Sequence, residues 1–479
     1  MSYQVPQYIS KDKIFIVNRS EIEGRLEPEF YRPSLSSLEN KIRSLATHKL
    51  REYAISLAGG ATPKKTEAES FYTDSENGIP FLRVQNLQTN GELSLAGCIY
   101  INEETHNGLL ARSQVSEGDL LVKITGVGRM AIASVAPDGF VGNTNQHMAV
   151  IKTGDASLSK YLARYLNLDL IERIASRHST GGTRPALDYP SLKSLPIIEG
   201  IDFSPIDNAI KQKNDNECEA QQLLDSIDTY LLDELGVSLP EVRNELKDRV
   251  FLLNRSELEG RFDPTVYKDG IKLISPKWDN EKLSKVAFVN PSGAYKGKAA
   301  ETPISFVPME VIDETFSEII SMDETTIEQA SGFTKFREGD LLWAKITPCM
   351  QNGKSAIAKN LTNGLGCGST EFFILRPKDE RLATEYLHVI LHMKCVRETA
   401  MLYFGGSAGQ QRVPASFLEN FNLPLPPKEK QVEIANHVYA LRQQAKTLQE
   451  EGKRILELAK QEVERMIIGR KVIDKEVLA

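Results

Sequence analysis

The chain has 479 residues, 41% hydrophobic and 26% charged, with a formal net charge of -7. That length allows at least two buried cores, and the net acidity at first argues against nucleic acid, whose phosphates are bound by clustered Lys and Arg. Five cysteines without a Cys-x-x-Cys spacing indicate neither a disulfide framework nor a zinc site; the lack of any run of about 18 apolar residues and of an apolar leader predicts a soluble, cytoplasmic, unprocessed protein with no membrane partner.

The first recognisable element is a head within residues 1–44. Its residues 14–28 read Ile-Phe-Ile-Val-Asn-Arg-Ser-Glu-Ile-Glu-Gly-Arg-Leu-Glu-Pro and return without a gap as residues 250–264, Val-Phe-Leu-Leu-Asn-Arg-Ser-Glu-Leu-Glu-Gly-Arg-Phe-Asp-Pro. The identities fall on charged and turn residues, so the chain contains a duplicated module. A body over 45–198 follows, with short apolar runs at 79–84, 120–124, 130–135 and 148–151 separated by Asn90-Gly91, Asp138-Gly139 and Gly142-Asn143. This punctuation predicts strands and turns, with a helix near 157–176 after them.

Residues 204–235 carry Ile206, Ile210, Lys213, Glu217, Ala220, Leu224, Ile227 and Leu231 at alternating spacings of three and four, the seam of a coiled coil. The surrounding segment, 199–249, holds 13 acids against 5 bases, a local -8 that exceeds the total. The acidity thus belongs to a central helix, and the bodies are left free to carry basic surfaces. The second head, 250–279, leads to a second body over 280–425, with runs at 304–307, 341–346, 355–358 and 372–375 and a helix near 383–400. Pro426-Pro427 opens a terminal helical segment, 426–479, whose seam runs through Val438, Leu441, Ala445, Leu448, Gly452, Ile455, Ala459, Val463 and Met466 to Gly469. The fold class expected is α+β: two strand-rich bodies in pseudo-twofold arrangement, joined by two long antiparallel helices.

Chemistry is notable for what is missing. Gly126-Val127-Gly128-Arg129-Met130-Ala131 imitates a dinucleotide fingerprint, but a strand rather than a helix is expected next, so a hairpin turn is the better reading. No Walker loop, His-Glu-x-x-His, Gly-x-Ser-x-Gly or Asn-Pro-Pro-Tyr occurs. The bodies instead offer polar loops after strands. In the first these are Lys64 and Lys65; Arg83, Gln85 and Asn86; Lys123, Thr125 and Arg129; Asn143, Thr144, Asn145 and Gln146; and Arg177, His178, Thr180, Thr183 and Arg184. In the second they are Tyr295, Lys296 and Lys298; Lys345, Thr347, Gln351, Asn352 and Lys354; Ser369 and Thr370; and Gln410, Gln411 and Arg412. Arg suits guanine edges, Asn and Gln adenine edges, and Lys, Ser and Thr phosphates.

Several stretches recur in order. Glu117-Gly118-Asp119-Leu120-Leu121-Val122-Lys123-Ile124-Thr125 matches residues 338–347 with one inserted residue; a Gly loop with Arg184 matches one with Arg412; Leu195-Pro196 matches Leu423-Pro424. This order, together with Leu423-Pro424-Leu425-Pro426-Pro427-Lys428-Glu429-Lys430-Gln431, resembles the specificity subunit of type I restriction-modification systems. The first half lacks the Pro-Pro and the Gln, which leaves the start of its helix open. The resemblance implies two target recognition domains, each reading half of a split, asymmetric double-stranded DNA site. It also implies two separate modification subunits that use S-adenosylmethionine to methylate adenine N6, and motor-nuclease subunits that use ATP and Mg. The chain itself would carry no cofactor, no metal and no catalytic residue. The rival readings are a self-sufficient DNA methyltransferase or nuclease, and an acidic scaffold or DNA mimic.

Overall fold

A computed structural model of the chain describes residues 10, 12–63, 68–239, 263–406 and 410–469. Lys64, Lys65 and residues 250–262 of the second head lie outside the described residues. The chain forms two compact units: unit 1 is Met1–Asp215 with Glu451–Ala479, and unit 2 is Asn216–Glu450.

Unit 1 contains β1 (His48–Lys49), β2 (Ser56–Gly59), β3 (Tyr72–Thr73), β4 (Ile79–Leu82), β5 (Ile99–Ile101), β6 (Gln114–Ser116), β7 (Leu120–Lys123), β8 (Ala133–Val135), β9 (Val141–Thr144), β10 (Met148–Lys152) and β11 (Pro196–Ile197). An antiparallel sheet in the order β2-β10-β7-β8 is one layer, and a mixed sheet, β3-β5-β4-β9-β6, is another. Strand alternation assigns the side chains. Leu120, Val122, Ala149 and Ile151 join the core beneath the helices Ala156–Leu166 and Asp169–His178, whereas Leu121, Met148 and Val150 meet Leu82 and Val115 of the mixed sheet and Phe140 just before β9. The middle sheet is thus covered on both faces, which is why its strands read as continuous apolar runs.

Unit 2 repeats this construction with β12 (Asp279–Lys282), β13 (Ala287–Val289), β14 (Pro303–Val307), β15 (Asp323–Thr326), β16 (Thr334–Arg337), β17 (Leu341–Ala344), β18 (Ser355–Ile357), β19 (Leu365–Gly368), β20 (Phe372–Pro377) and β21 (Asn422–Leu425). Its antiparallel sheet is β13-β20-β17-β18 and its mixed sheet β15-β14-β19-β16, the same orders position for position except that unit 1 adds β3 at an edge. In both mixed sheets the central pair is parallel, β4 with β9 and β14 with β19. The α+β expectation and the duplication both hold at this level.

The repeated Glu-Gly-Asp is the turn into the middle strand. Gly118 and Gly339 sit at φ +74° and +84°, where a side chain would be strained. The following Asp then closes the turn. Asp119 Oδ2 accepts from Ser116 N at 2.8 Å and from Lys152 Nζ at 2.8 Å; Asp340 accepts from Arg337 N at 2.9 Å and takes both ends of the Arg376 guanidinium at 2.6 Å.

Strand register revises the sequence matching. Leu120, Leu121 and Val122 pair along β8 as Leu341, Leu342 and Trp343 do along β18, with no insertion. Lys123 therefore corresponds to Ala344 and Ile124 to Lys345, so the two lysines occupy successive strand positions and opposite faces. Beyond them, Thr125 bridges Ala186 as Ile346 bridges Arg412, which makes Ala186, not Arg184, the counterpart of Arg412. Each expected single helix after the strands is also a broken pair: Ala156–Leu166 and Asp169–His178 in unit 1, Thr384–His392 and Lys394–Met401 in unit 2. In unit 1 the break is held by Asn167, whose amide donates to Ala133 O at 2.7 Å and accepts from Ala133 N at 3.2 Å. Strands β9 and β19, absent from the sequence reading, carry Gly142, and Gly366 and Gly368, where their neighbours press close: a Cβ on Gly368 would lie 2.1 Å from Val307 O.

The long helices are Ser204–Leu235 and Lys428–Gly469. Each unit holds a segment of both, packed antiparallel. In unit 1, Ile206, Ala209 and Ile210 share a core with Leu456, Ala459, Val463 and Ile467, and Gly452 lies against Lys213. In unit 2, Asn216 Nδ2 donates to Leu448 O at 3.3 Å, the Tyr230 ring packs tilted against His437 with centroids 4.2 Å apart, and Glu234 pairs with Lys430 at 3.0 Å. The seam ends at Ile467, 1% exposed, rather than at Met466, 47% exposed. Gln431 explains the start of the second helix. It is fully buried, accepts from Ala383 N at 2.9 Å and donates to Arg381 O and Pro426 O at 2.7 and 2.8 Å. The first helix, lacking that Gln, begins where Asp202 accepts from Ser204 N at 2.9 Å.

Candidate nucleic-acid interface

In each unit one end of the middle sheet gathers polar loops. In unit 1, Ile124 N donates to His147 O at 2.9 Å and the loop over 180–186 closes on Thr125 through Ala186. Gly60 packs on the carbonyls of Thr144 and Asn145, Thr62 is hydrogen-bonded to Gln146, and Asn145 N reaches Leu82 O at 3.3 Å, which brings the 83–86 loop alongside. Thr125, Asn145, Gln146, Thr180, Thr183, Arg184 and Gln85 thereby share one rim. Thr183 and Arg184 are exposed, and Arg184 makes no hydrogen bond or ion pair with a described residue. It lies near His147, whose imidazole is held below its ordinary pKa first by burial and then by the Arg184 charge.

The remaining unit 1 candidates are committed to the fold. Lys123 is buried and donates to Val127 O at 2.8 Å, fixing the Gly126-Val127-Gly128 hairpin turn; burial lowers its pKa. Gly126 and Gly128 have positive φ and the strand β8 follows, so no helix N-terminus is present for a dinucleotide. Arg83 donates to Gly97 O at 2.7 Å, and Asn86, fully buried, ties its own loop through Arg83 N and Ser94 O at 2.8 Å each. Asn143 and Thr144 are fully buried, with Asn143 Nδ2 donating to Leu110 O at 2.9 Å. Arg129 is spent on Asp169 and on Asn167 O. Arg177 and His178 turn to the helix Pro33–Leu45, where both bond Glu39, at 2.5 and 2.8 Å. Burial alone would raise the Glu39 carboxyl, but His178 and Arg43 bring it down to about 2.

In unit 2 the matching end contains Lys345, whose N donates to Glu371 O at 2.9 Å, Thr347, whose N donates to Gln411 O at 3.0 Å, and Arg412. Lys345 Nζ stands 5.4 Å over the Phe373 ring. A concavity beside it is lined by Asn290, Ser292, Lys335, Lys345 and Thr370. Arg412 grips Glu371 side-on, Nε to Oε2 at 2.9 Å and Nη2 to Oε1 at 2.8 Å; these bonds hold the Glu371 carboxyl below its ordinary pKa and the Arg412 guanidinium above its own. Thr370 and Gln410 are exposed, and Ser369 accepts from Glu371 N at 3.2 Å.

Tyr295 donates to Gly366 O at 2.7 Å under Lys335, with Lys296 and Lys298 exposed on the same turn. Three candidates are used elsewhere: Lys354 caps the carbonyls of Met309 and Ile312, Asn352 donates to Glu314, and Gln351 O accepts from Arg397. Lys335 and Thr62 join the rims without having been singled out, alongside His147 and Glu371 at the ends of the loops Asn143–His147 and Ser369–Glu371. Lys335 lies in a strand, and only its pairing next to β19 reveals the rim position.

Residues 277–457, most of unit 2 and the first residues beyond it, match the family described as type I restriction modification DNA specificity domain. The chain is 38% identical over 160 residues to the type I restriction enzyme EcoEI specificity subunit of Escherichia coli, covering 33% of this chain and 26% of that one. To the EcoAI specificity subunit of Escherichia coli it is 35% identical over 161 residues, again 33% and 26%. The chain thus spans about a quarter of the length of these curated relatives. A chain solved in work on complex assembly and conformational transition of the type I R-M system aligns with 88% of this chain and 97% of its own, at 16% identity and a TM-score of 0.42. The resemblance to type I specificity subunits read from the repeated motifs is borne out. No helix among the described residues is long and apolar enough to cross a membrane.

Proposed function

We propose that this chain is the DNA-reading subunit of a type I restriction-modification complex and carries no catalysis of its own. Each unit takes one half of a bipartite, asymmetric duplex site through its polar rim. The chain delivers that site to two modification subunits, which would hold S-adenosylmethionine and methylate adenine N6, and to motor-nuclease subunits using ATP and Mg. The observation that carries this reading is the pairing of one scaffold, built twice to the same strand order and register, with two rims of different chemistry. Arg, Gln and Thr on the rims suit base edges and phosphates, and the acidic surplus of the helix segment does not touch the rims' own charge balance.

Sequencing methylated adenines in a host with and without this gene tests the proposal. A split motif that appears with the gene is the expected result. An unchanged methylation map, in a host that makes the modification subunits, contradicts it.

A further inference from the structure

Among rim residues, Arg412 is held in an unusual way. A guanidinium carries five N–H bonds in a rigid plane. Here Nε and one hydrogen of Nη2 go to Glu371, and one hydrogen of Nη1 goes to Gln410 O at 3.0 Å. No other described residue accepts from Nη1 or Nη2, so each has an N–H left for a ligand, and the Nη1–Nη2 end of the guanidinium can fork onto the O6 and N7 acceptors of guanine in the major groove. The backbone is fixed as well: Arg412 and Gly405 exchange hydrogen bonds at 2.9 and 3.0 Å, and Arg412 bridges Ile346. The arginine side chain is 43% exposed and Glu371 21%, so the free fork is reachable while its support is half-covered.

An exposed ion pair stabilises a fold little, and a carboxylate facing a polyanion hinders association. As a reading device the pair trades some general affinity for selectivity, because Glu371 removes the rotamer freedom that Arg412 would otherwise lose on binding. Lys345 and Thr370 on either side are placed for phosphates. Unit 1 has no equivalent: Ala186 stands at the position of Arg412 and His147 at that of Glu371.

We propose that Arg412, aimed by Glu371, reads a guanine in the half-site taken by unit 2. This rests on the DNA-reading role argued above. The test is selection of duplexes from a randomised pool by the full-length chain and by R412A, R412K and E371A. The wild-type chain is expected to return a split motif with a fixed guanine in one half. R412A and R412K should lose preference at that base pair alone, by roughly ten- to a hundredfold, with the other positions unchanged. E371A should lose about tenfold in guanine preference while holding or raising affinity for unrelated duplexes, a combination that a misfolded rim would not give. Recovery of the wild-type motif by both R412A and R412K overturns the inference and leaves DNA reading intact. Recovery of no motif by the wild-type chain overturns DNA reading and this inference with it.

Discussion

At the rim of unit 1 an exposed Arg184, without an ion-pair partner among the described residues, lies near a histidine held toward its neutral form, whereas at the matching rim of unit 2 Arg412 is locked to Glu371. Far upstream in each unit, the Glu-Gly-Asp turns that support these rims close in the same way, with Asp119 accepting from Ser116 N and Asp340 from Arg337 N. Duplication has thus kept the parts that set strand register, where a one-residue slip would turn every side chain to the wrong face. It has released the strand ends, where no register depends on identity. A surface that must read two different half-sites needs that division.

The comparison can be broken first at the buried charges. Glu39 joins Arg177, Arg43 and His178 in unit 1, and E39A should cost about 3 to 5 kcal/mol by leaving Arg177 without its buried partner. Hydrogen exchange should show the loss in unit 1 peptides. Because the Glu39 pKa is depressed in the folded state, its stabilisation is full above about 4.5 and disappears as pH falls toward about 2. Unit 1 should therefore loosen over that window, and E39A should flatten the acid response. An unaltered response in the variant would refute the assignment.

Next come the twin turns. Asp340 and Arg376 are 1% and 13% exposed, whereas Lys152, the partner of Asp119, is 44% exposed. D340A should cost about 3 kcal/mol and D119A about 1 kcal/mol, because Lys152 can turn to water and Arg376 cannot. Denaturant unfolding followed by exchange in each unit measures both; equal costs would show that the turns are alike in energy as well as geometry. A smaller effect is expected from R184A, a few-fold loss of affinity that is uniform across sequences, with the salt dependence reduced by about one counterion. A loss confined to one base pair would make Arg184 a reader instead.

The periodic parts were legible. Leu120 to Lys123 and Leu341 to Ala344 announce buried strands, the seams from Ile206 to Leu231 and Val438 to Val463 announce paired helices, and Gly126 to Gly128 a hairpin. Strands β9 and β19 were not legible because Gly142, Gly366 and Gly368 look like turn residues until a close neighbour explains them. The rims were half legible for the same reason in reverse. Polar type located the loops, but whether Asn86 or Arg177 faces outward depends on partners such as Ser94 and Glu39, distant or local, that one sequence does not disclose. Lys123 and Lys345 illustrate the hazard: they match in sequence across one inserted residue, yet the strand ladder puts them at successive positions and on opposite faces.

The central claim is that the two units share a scaffold and differ in separable reading ends. Duplex selection with the wild-type chain and with H147E/A186R, which carries the Glu371–Arg412 chemistry to the corresponding positions of unit 1, tests it most directly. The account predicts two unlike half-sites for the wild type and a change, toward guanine, in only one half for the variant. A palindromic wild-type motif, or a variant motif altered in both halves or in neither, would contradict it.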